Sequence, residues 1–320
     1  MPIYKRYTPL FLTFFIGQIA FAQSLSLSQL FYPNITLHAD YQPNASLNAS
    51  TKYGLSRNQI LGILPLKTEI NAGFGIGRKA DIEAKHTVLI ANLGQITPTL
   101  NDIPQQENGY KTATLGIVQL KASLRDRFWI YAGGLGITES AETFFKPQPY
   151  LFGGAARMRI LGAKTQIFYG TALIFSQKFR LIPIFGFTKT LGQDWKISGI
   201  LPFRASVAYK AQPWLSLEGN AVIDGYSAGY QNIINSQKLI ERQNLQQIRF
   251  SVSANAHLLK VFNIAAEVGI TGLRQLRTFS PLISVYNQQN PSPAPYLGLS
   301  VRYISSKSKM SSKFLGKMGL

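Results

Sequence analysis

The sequence predicts an all-β protein, a transmembrane, antiparallel, up-and-down β-barrel of about 12 strands, within a range of about 10 to 14. Segments roughly ten residues long alternate apolar and polar residues; between residues 248 and 258, every even position is apolar and every odd position is polar. An export signal precedes these segments. After the signal, no run of about 18 apolar residues follows, which excludes a helical membrane span. Strands with one face for lipid and one for water fit all three observations.

The N-terminus is typical of a signal peptide. Two basic residues precede an apolar run over residues 9–21, and Ala20 and Ala22 place small residues where signal peptidase inspects the chain. The apolar run is shorter than the roughly 20 residues that a spanning helix needs. We therefore predict a signal peptide at residues 1–22, export through the Sec pathway and a mature chain that begins at Gln23.

Composition also favours a membrane barrel. Only 15% of the residues are charged, against about 25% in an average soluble domain. The chain has no cysteine, which excludes a lipid-anchored lipoprotein and disulfide bonds. The net charge of +19 raises the question of nucleic acid, but the basic residues are spread over the strands and form no stripe with interleaved aromatics. We expect outer-membrane lipid, and not nucleic acid, as the partner of this charge.

Period-two alternation between clusters of Gly, Asn, Asp or Pro places the strands in order. The first clear strand covers residues 66–76, where even positions face out and Lys67 and Glu69 face in. The same pattern predicts strands at residues 85–94, 112–124, 127–138, 150–160, 165–175, 179–188 and 195–209, from residue 215 onward, on either side of Leu259-Lys260, and at 296–303. One further pair of strands between residues 35 and 57 is left open.

The strand predicted at residues 195–209 keeps its odd positions on one face throughout, and we interpret Pro202 within it as a bulge. Long polar connections near residues 95–111, 226–244 and 277–295 are the expected outer loops. Counting back from a periplasmic C-terminus places the first of these at the wrong end of the barrel. We therefore expect an error in the strand count between residues 139 and 195.

The last strand carries the most specific local signal. Leu297, Leu299, Val301 and Tyr303 alternate with smaller or polar residues, a pattern similar to the C-terminal strand that the barrel assembly machinery recognises. A Ser- and Lys-rich tail follows this strand, unlike in that pattern. We divide the chain into a signal peptide (1–22), an N-terminal segment with one or two strands (23–60), the barrel (61–304) and a basic, disordered tail (305–320).

Three features resemble an uncharacterised family of Gram-negative outer-membrane β-barrels that is known as a domain of unknown function. They are the signal peptide, the Pro-flanked strand starts Ile63-Leu64-Pro65-Leu66 and Ile200-Leu201-Pro202, and the stretch from Pro183 to Tyr230. The similarity covers most of the mature chain and consists of Gly, Pro and aromatic patterns. The resemblance implies a barrel in the outer membrane and transfers no site residue.

The faces of the predicted strands define a candidate site, the lumen. Parity assigns eight cationic and four anionic residues to it: Lys67, Lys121, Arg157, Arg159, Arg204, Lys210, Arg249 and Arg302, with Glu69, Glu218, Asp224 and Glu267. A wet lumen with this bias favours small anionic solutes. The alternative is a narrow barrel in which the charges pair across the interior and plug it.

Catalysis has weak support. His257 shares the predicted lumen face with Ser251 and Ser253, and it lies near Glu267 if the intervening hairpin is regular. These residues include the types that serve as nucleophile, base and orienting group in hydrolases. No nucleophile elbow accompanies them. With only three histidines and no cysteine, the chain offers no predicted metal or cofactor site.

The sequence thus predicts a non-enzymatic outer-membrane barrel, either a narrow pore or a small-solute binding or transport barrel with an anion-leaning lumen. A plugged, structural barrel is the alternative, and a barrel acyl hydrolase or a secreted β-sandwich is less favoured. If the lumen assignment holds, Arg157→Glu together with Arg159→Glu should change ion selectivity.

Overall fold

The protein was analysed as a computed structural model, which describes residues 30–73, 81–101, 103–104, 109–123, 127–144, 147–162, 164–175, 179–234, 237–258, 261–279 and 287–305. The predicted signal peptide and nearly all of the basic tail lie outside these residues. Among the described residues, none forms a helix with the length and apolar character that a membrane span requires.

The described residues contain fourteen long strands in a single sheet. They are β1 (Asn34–Ser46), β2 (Lys52–Gly73), β3 (Asp81–Leu100), β4 (Tyr110–Ser123), β5 (Arg127–Ser140), β6 (Tyr150–Gly162), β7 (Thr165–Phe175), β8 (Phe179–Leu191), β9 (Trp195–Leu201), β10 (Arg204–Gln212), β11 (Leu215–Ile234), β12 (Gln237–Leu258), β13 (Phe262–Phe279) and β14 (Ala294–Ile304). Two short strands also pair antiparallel with long ones: Ile103–Pro104 with β3, and Asn287–Gln289 with β13.

The sheet closes into a barrel. Each long strand pairs antiparallel with the next one along the chain, and β1 also pairs with β14, from Asn34 opposite Ile304 to Tyr41 opposite Leu297. This closed order confirms the predicted barrel, with a strand number at the upper limit of the predicted range. It also excludes two separate packed sheets, so the β-sandwich alternative is wrong.

Two strands differ from the sequence prediction at the start of the barrel. β1 and the first part of β2 occupy residues that were assigned to the N-terminal segment 23–60. β2 then continues without a break to Gly73, so the strand predicted at residues 66–76 is its second part.

The single strand predicted at residues 195–209 is wrong, because the structure has two strands there, β9 and β10. Phe203 N donates to the Ile200 carbonyl at 2.7 Å, which places Pro202 in a tight turn and not in a bulge. In the resulting hairpin Trp195 lies opposite Tyr209. Residues that lie opposite each other in a hairpin point to the same face of the sheet. The odd positions of β9 and β10 therefore all lie on one face, as they would in a single long strand. The error in the strand count lies here and not before residue 195.

The two ends of the barrel differ. We call the end that carries the first residue of β1 and the last residue of β14 the turn end, and the opposite end the loop end. β2, β3, β11 and β12 have 20 to 22 residues each, whereas a tilted membrane strand needs about 9–11. β11 pairs with β10 only as far as Val222 and then continues towards the loop end, where Gly229 pairs with Glu139 of β5. The wall is therefore taller on one side than on the other.

The outer surface of the barrel is apolar. Large apolar side chains that are exposed occur on nearly every long strand, among them Ile35, Leu37, Leu93, Ile117, Leu151, Val207, Phe250, Val252, Val268, Ile270, Leu297 and Leu299. The alternate positions point inward, so that Arg249 is buried while its neighbours Ile248 and Phe250 lie on the other face. The interior, where the polar residues of these strands collect, is the place to look for a site.

Candidate functional site

The interior contains three layers of side chains, and β11 shows their order. From the turn end towards the loop end, Ser216 and Glu218 line a chamber, Asp224 belongs to a charge network, and Tyr226 and Ala228 belong to an aromatic and aliphatic cluster. Regular alternation along β11 directs all of these even-numbered residues inward. Each layer has its own chemistry.

The charge network is built around Arg57, whose side chain is almost fully buried. Its Nε donates to both carboxylate oxygens of Asp40 at 3.0 Å, and its two Nη atoms donate to the two oxygens of Asp224 at 2.6 Å. Arg57 lies on β2 and Asp224 on β11, which are not neighbours in the closed sheet. This bidentate pair therefore crosses the interior and braces two walls of the barrel.

Arg249 is the second cation of the network. Its Nη1 lies 3.3 Å from Asp224 Oδ2 and its Nε 3.5 Å from Glu267 Oε1. The guanidinium carbon is 4.3 Å from the ring centroid of Tyr296, a cation–π contact. Glu267 also accepts a hydrogen bond from Ser251. With two arginines matched by three carboxylates, this layer compensates its charges internally and does not act as a ring that attracts anions.

The aromatic and aliphatic cluster fills the interior towards the loop end. Its buried members are Tyr53, Leu55, Ile96, Tyr110, Tyr226, Ala228, Leu245 and Leu276, from β2, β3, β4, β11, β12 and β13. The hydroxyl oxygens of Tyr53 and Tyr226 are 2.8 Å apart, and Tyr226 and Tyr110 both donate to Gln243. Because these side chains come from opposite walls and are buried, the layer closes the interior above the charge network.

At the loop end, β5 contacts β11 directly. Glu139 pairs in parallel with Gly229, and Thr143 Oγ1 donates both to Glu139 Oε2 at 2.9 Å and to the Gly229 carbonyl at 3.2 Å. The backbone N–H of Gln148 donates to the second carboxylate oxygen of Glu139 at 2.9 Å. Among the described strands, β6 to β10 end nearer the turn end than this contact, so β1–β5 and β11–β14 form the loop-end section.

Below these layers lies a chamber of about 740 Å³ with two different walls. The apolar wall comes mainly from β3 to β9 and includes Ile90, Val118, Ile130, Phe152, Met158, Phe168, Ala172, Ile174, Ile184 and Ile200. The polar wall comes from β9 to β14 and includes Lys196, Ser198, Arg204, Ser206, Ser216, Glu218, Asn255, His257, Asn263, Ser300 and Arg302. The chamber is therefore amphipathic across its width.

The polar wall carries more positive than negative charge. Arg204 Nη2 donates to Glu218 at 2.8 Å and to Asn220 at 2.6 Å. Arg302 Nε donates to Thr36 Oγ1 at 3.0 Å. Three cations, those of Lys196, Arg204 and Arg302, thus face a single carboxylate, that of Glu218, among the described residues of the chamber. This imbalance favours a negatively charged group in the chamber.

The turn end is narrowed by the residues that precede β1. Leu30 and Phe31 are buried inside the barrel, and the Phe31 ring stacks on His86 with centroids 4.7 Å apart. His86 Nε2 lies 3.0 Å from the Leu30 carbonyl, and its Nδ1 lies 2.8 Å from Thr68 Oγ1. This segment packs against β2, β3 and β4 and covers that side of the interior.

Seven of the twelve predicted lumen charges lie on inward-facing positions. They are Arg204, Lys210, Glu218, Asp224, Arg249, Glu267 and Arg302. The other five lie on the outer face near the turn end: Lys67, Glu69, Lys121, Arg157 and Arg159. For these five, the lumen assignment is corrected.

A bulge explains Lys67 and Glu69. The register of β2 against β3 shifts between Pro65 and Lys67, which reverses the faces of all later residues of β2. Lys67 and Glu69 pair with each other in solvent. On β4, Lys121 lies on the same outer face, with its Nζ 3.2 Å from Glu83.

Arg157 and Arg159 are on the outer face because the inner face of β6 is itself apolar. Phe152 and Met158 point into the chamber, so the usual association of apolar residues with the outside fails on this strand. Arg157 lies over the ring of Trp129 at 5.6 Å, and Arg159 over the ring of Tyr169 at 5.8 Å. Charge reversal at these two arginines is therefore no test of lumen selectivity.

Of the residues considered for catalysis, Ser251 and Glu267 share a hydrogen bond, but the base His257 is not brought to them. His257 lies opposite Asn263, whereas Ser253 lies opposite Glu267. Four residues along a strand separate Ser253 from His257, a distance of about 13 Å at ~3.3 Å per residue. Within the described part of the chain, no group of three or more His, Cys, Asp or Glu side chains could hold a metal ion.

Comparison of the sequence with family models and with curated proteins finds no match, so membership of an uncharacterised barrel family stays a prediction. Among solved structures, the chain is similar to the KdgM porin, with 8% identity and a TM-score of 0.35 over 84% of this chain and 98% of that one. An outer-membrane channel from Pseudomonas putida F1 has 10% identity and a TM-score of 0.42 over 86% and 96%. The TodX monoaromatic hydrocarbon channel has 7% identity and a TM-score of 0.34 over 85% and 89%. Identities and scores this low transfer neither a residue nor an activity.

Proposed function

We propose that the protein is an outer-membrane barrel that takes up or passes a small solute through its chamber and performs no chemistry on it. One observation carries this proposal: a closed barrel with an apolar outer surface has in its interior a chamber of about 740 Å³. Barrels of this kind satisfy every backbone group internally and can therefore stand in lipid. Enclosed, mostly apolar chambers with a few polar groups are the usual form of small-molecule sites.

The outer face supports the membrane position. Its middle carries aliphatic and aromatic side chains that are about half exposed, such as Val252 and Phe250. Towards the turn end, aromatic pairs follow, with Trp195 and Tyr209 4.8 Å apart and Phe262 and Tyr303 5.3 Å apart between ring centroids. An apolar band with an aromatic girdle matches the lipid and interface regions of a bilayer. Export through the Sec pathway and insertion by the barrel assembly machinery belong to the same proposal.

The charge network supports a barrel that rests in a closed state. Passage from the chamber to the loop end requires both the Arg57–Asp224 brace and the aromatic and aliphatic cluster to open, since both cross the interior. We test this with single-channel recordings in planar bilayers. The brace variant replaces Arg57 and both of its carboxylates, Arg57→Gln with Asp40→Asn and Asp224→Asn. It leaves Arg249 beside Glu267 and no buried carboxylate that has lost its cation, and it should raise the open probability about tenfold.

A matched control uses the partly exposed ion pair of Glu83 and Lys121 on the outer face, replaced by Gln at both positions, which should leave the conductance of the barrel unchanged. Equal, large conductance in the wild type and in the brace variant would contradict a closed resting state. Small anions should pass more readily than cations once the barrel opens, because the polar wall has an excess of positive charge.

A plugged, structural barrel is the second candidate. The observation that favours it is the pair of filled layers between the chamber and the loop end. It predicts no conductance in the wild type, in the brace variant or in the control, although all three show the heat-dependent change in gel mobility of a folded barrel.

A further inference from the structure

We infer that the chamber is a binding site for an amphipathic anion, a carboxylate carried on an aliphatic or aromatic body. The inference deepens the proposed function, because it names the solute class, and it rests on that function for the membrane setting alone. It narrows the small anionic solutes that the sequence suggested to amphipathic ones.

The body of the ligand follows from the apolar wall. Phe152, Met158 and Phe168 point into the chamber from β6 and β7, and aliphatic side chains of β3, β5 and β8 continue the same surface. Contact with this wall removes apolar surface from water on both partners, at about 25 cal/mol per Å². A hydrated ion such as chloride gains nothing from such a wall, whereas a hydrocarbon body does.

The head of the ligand follows from the polar wall. Lys196 and Arg204 lie on β9 and β10, and Arg302 lies on β14, at the other edge of the same wall. Glu218 balances one of the three cations through its 2.8 Å bond to Arg204. Hydroxyl donors of Ser198 and Ser206, whose Oγ atoms are 2.9 Å apart, lie on the same wall. Guanidinium, ammonium and hydroxyl groups are the donors that a carboxylate accepts from.

The arrangement selects against the two simpler ligand classes. A neutral hydrocarbon offers no negative charge to the donors of the polar wall, and a small polar anion would leave the apolar wall against water. The volume of about 740 Å³ falls within the roughly 300–1,000 Å³ typical of small-molecule sites. At ~30 Å³ per water-sized group, such a chamber holds up to roughly 25 non-hydrogen atoms.

The experiment uses the full mature chain in nanodiscs of zwitterionic lipid and measures binding by calorimetry. The probes are 4-phenylbutyrate, acetate as an anion without a body, and 4-phenylbutan-1-ol as a body without a charge. We expect 4-phenylbutyrate to bind at least about tenfold more tightly than either of the others. Equal affinity for 4-phenylbutyrate and the alcohol, or for 4-phenylbutyrate and acetate, overturns the inference.

Two adjacent residues of β10 give a matched pair of variants. Ala208 lines the chamber, whereas Val207 is exposed on the outer face. Ala208→Phe should reduce the affinity for 4-phenylbutyrate by about tenfold or more by filling the chamber, and Val207→Phe should not change it. If Ala208→Phe fails to give the heat-modifiable, folded form, Ala156→Phe fills the chamber from β6 in its place. Unchanged affinity in a folded, filled variant overturns the inference.

A second pair tests the head group. Lys196→Gln with Arg204→Gln removes two cations of the polar wall and should weaken 4-phenylbutyrate binding about tenfold while leaving the alcohol unaffected. The control removes two outer cations, Lys121→Gln with Lys189→Gln, and should leave both affinities unchanged. Binding without any conductance would contradict the proposed channel and uphold this site, whereas conductance without selective binding would do the reverse.

Discussion

Asp224 shows how a carboxylate can be kept in the dry part of the interior. It accepts two hydrogen bonds from Arg57, a third from the Gly225 backbone N–H at 2.7 Å, and lies within 3.3 Å of Arg249. Burying a charge is tolerated only when its partners compensate for the lost water. Because Asp224 serves both arginines at once, the network depends on it more than on any other carboxylate that contacts Arg57 or Arg249.

Asp224→Ala should therefore lower the free energy of unfolding by about 3 to 5 kcal/mol, since it leaves two buried arginines short of a partner. Urea-induced loss of the heat-modifiable form measures this change. Glu69→Ala provides the control, because the ion pair of Lys67 and Glu69 is exposed and solvent screens its contribution to stability. Equal losses in the two variants would mean that the brace does not stabilise the barrel.

Val252 lies on the outer face, where it is 56% exposed, and tests whether a charge is tolerated on that face. Val252→Arg should cost about 2–4 kcal/mol if the position lies near the bilayer midplane, because a guanidinium is poorly solvated by hydrocarbon. Unfolding in lipid vesicles measures the cost, and Val252→Leu is the control. A neutral effect of the arginine would place Val252 at an interface or in water.

At this scale the sequence predicted Arg249 and Glu267 well, because β12 and β13 alternate cleanly around them. It missed Asp40 and Arg57, which lie in a segment whose alternation is weaker. The even positions Thr36, His38 and Asp40 did carry a polar signal. That Arg57 meets Asp224 depends on barrel closure, which no local pattern encodes.

At the scale of elements, parity was the strongest guide and also the main source of error. It fails where a bulge reverses the faces, as at Pro65, and where a tight turn preserves them, as at Pro202. It fails again where the interior itself is apolar, as along β6. Each failure has a physical cause. In all three cases the residues still form strands, although the turn at Pro202 divides one predicted strand into two.

Gly192 in the turn between β8 and β9 offers a test at this scale. Its φ of +65° lies in the left-handed region, and the space around it is open. Gly192→Val should therefore destabilise the barrel by about 1–2 kcal/mol through backbone strain and not through a clash. Gly192→Asn, which tolerates this φ, should cost much less, and urea unfolding compares the two. Equal costs would point to crowding and away from strain.

At the scale of the molecule, the outer apolar surface predicts behaviour in solution. A barrel that exposes this much hydrocarbon cannot stay dispersed in water. Dilution of detergent below its critical concentration should aggregate the folded protein, and transfer into nanodiscs should keep it monodisperse, as light scattering can measure. A protein that stays dispersed without detergent would contradict the membrane position.

The pairing of β1 with β14 has a consequence for biogenesis. The hydrogen bond from Arg302 to Thr36 joins residues 266 positions apart, so this seam is the costliest loop to close. Until β14 is made, β1 presents a bare row of backbone donors and acceptors, which is the kind of edge that recruits other chains. A chaperone must therefore cover that edge of β1 throughout export. The risk of aggregation through this edge ends when β14 pairs with β1.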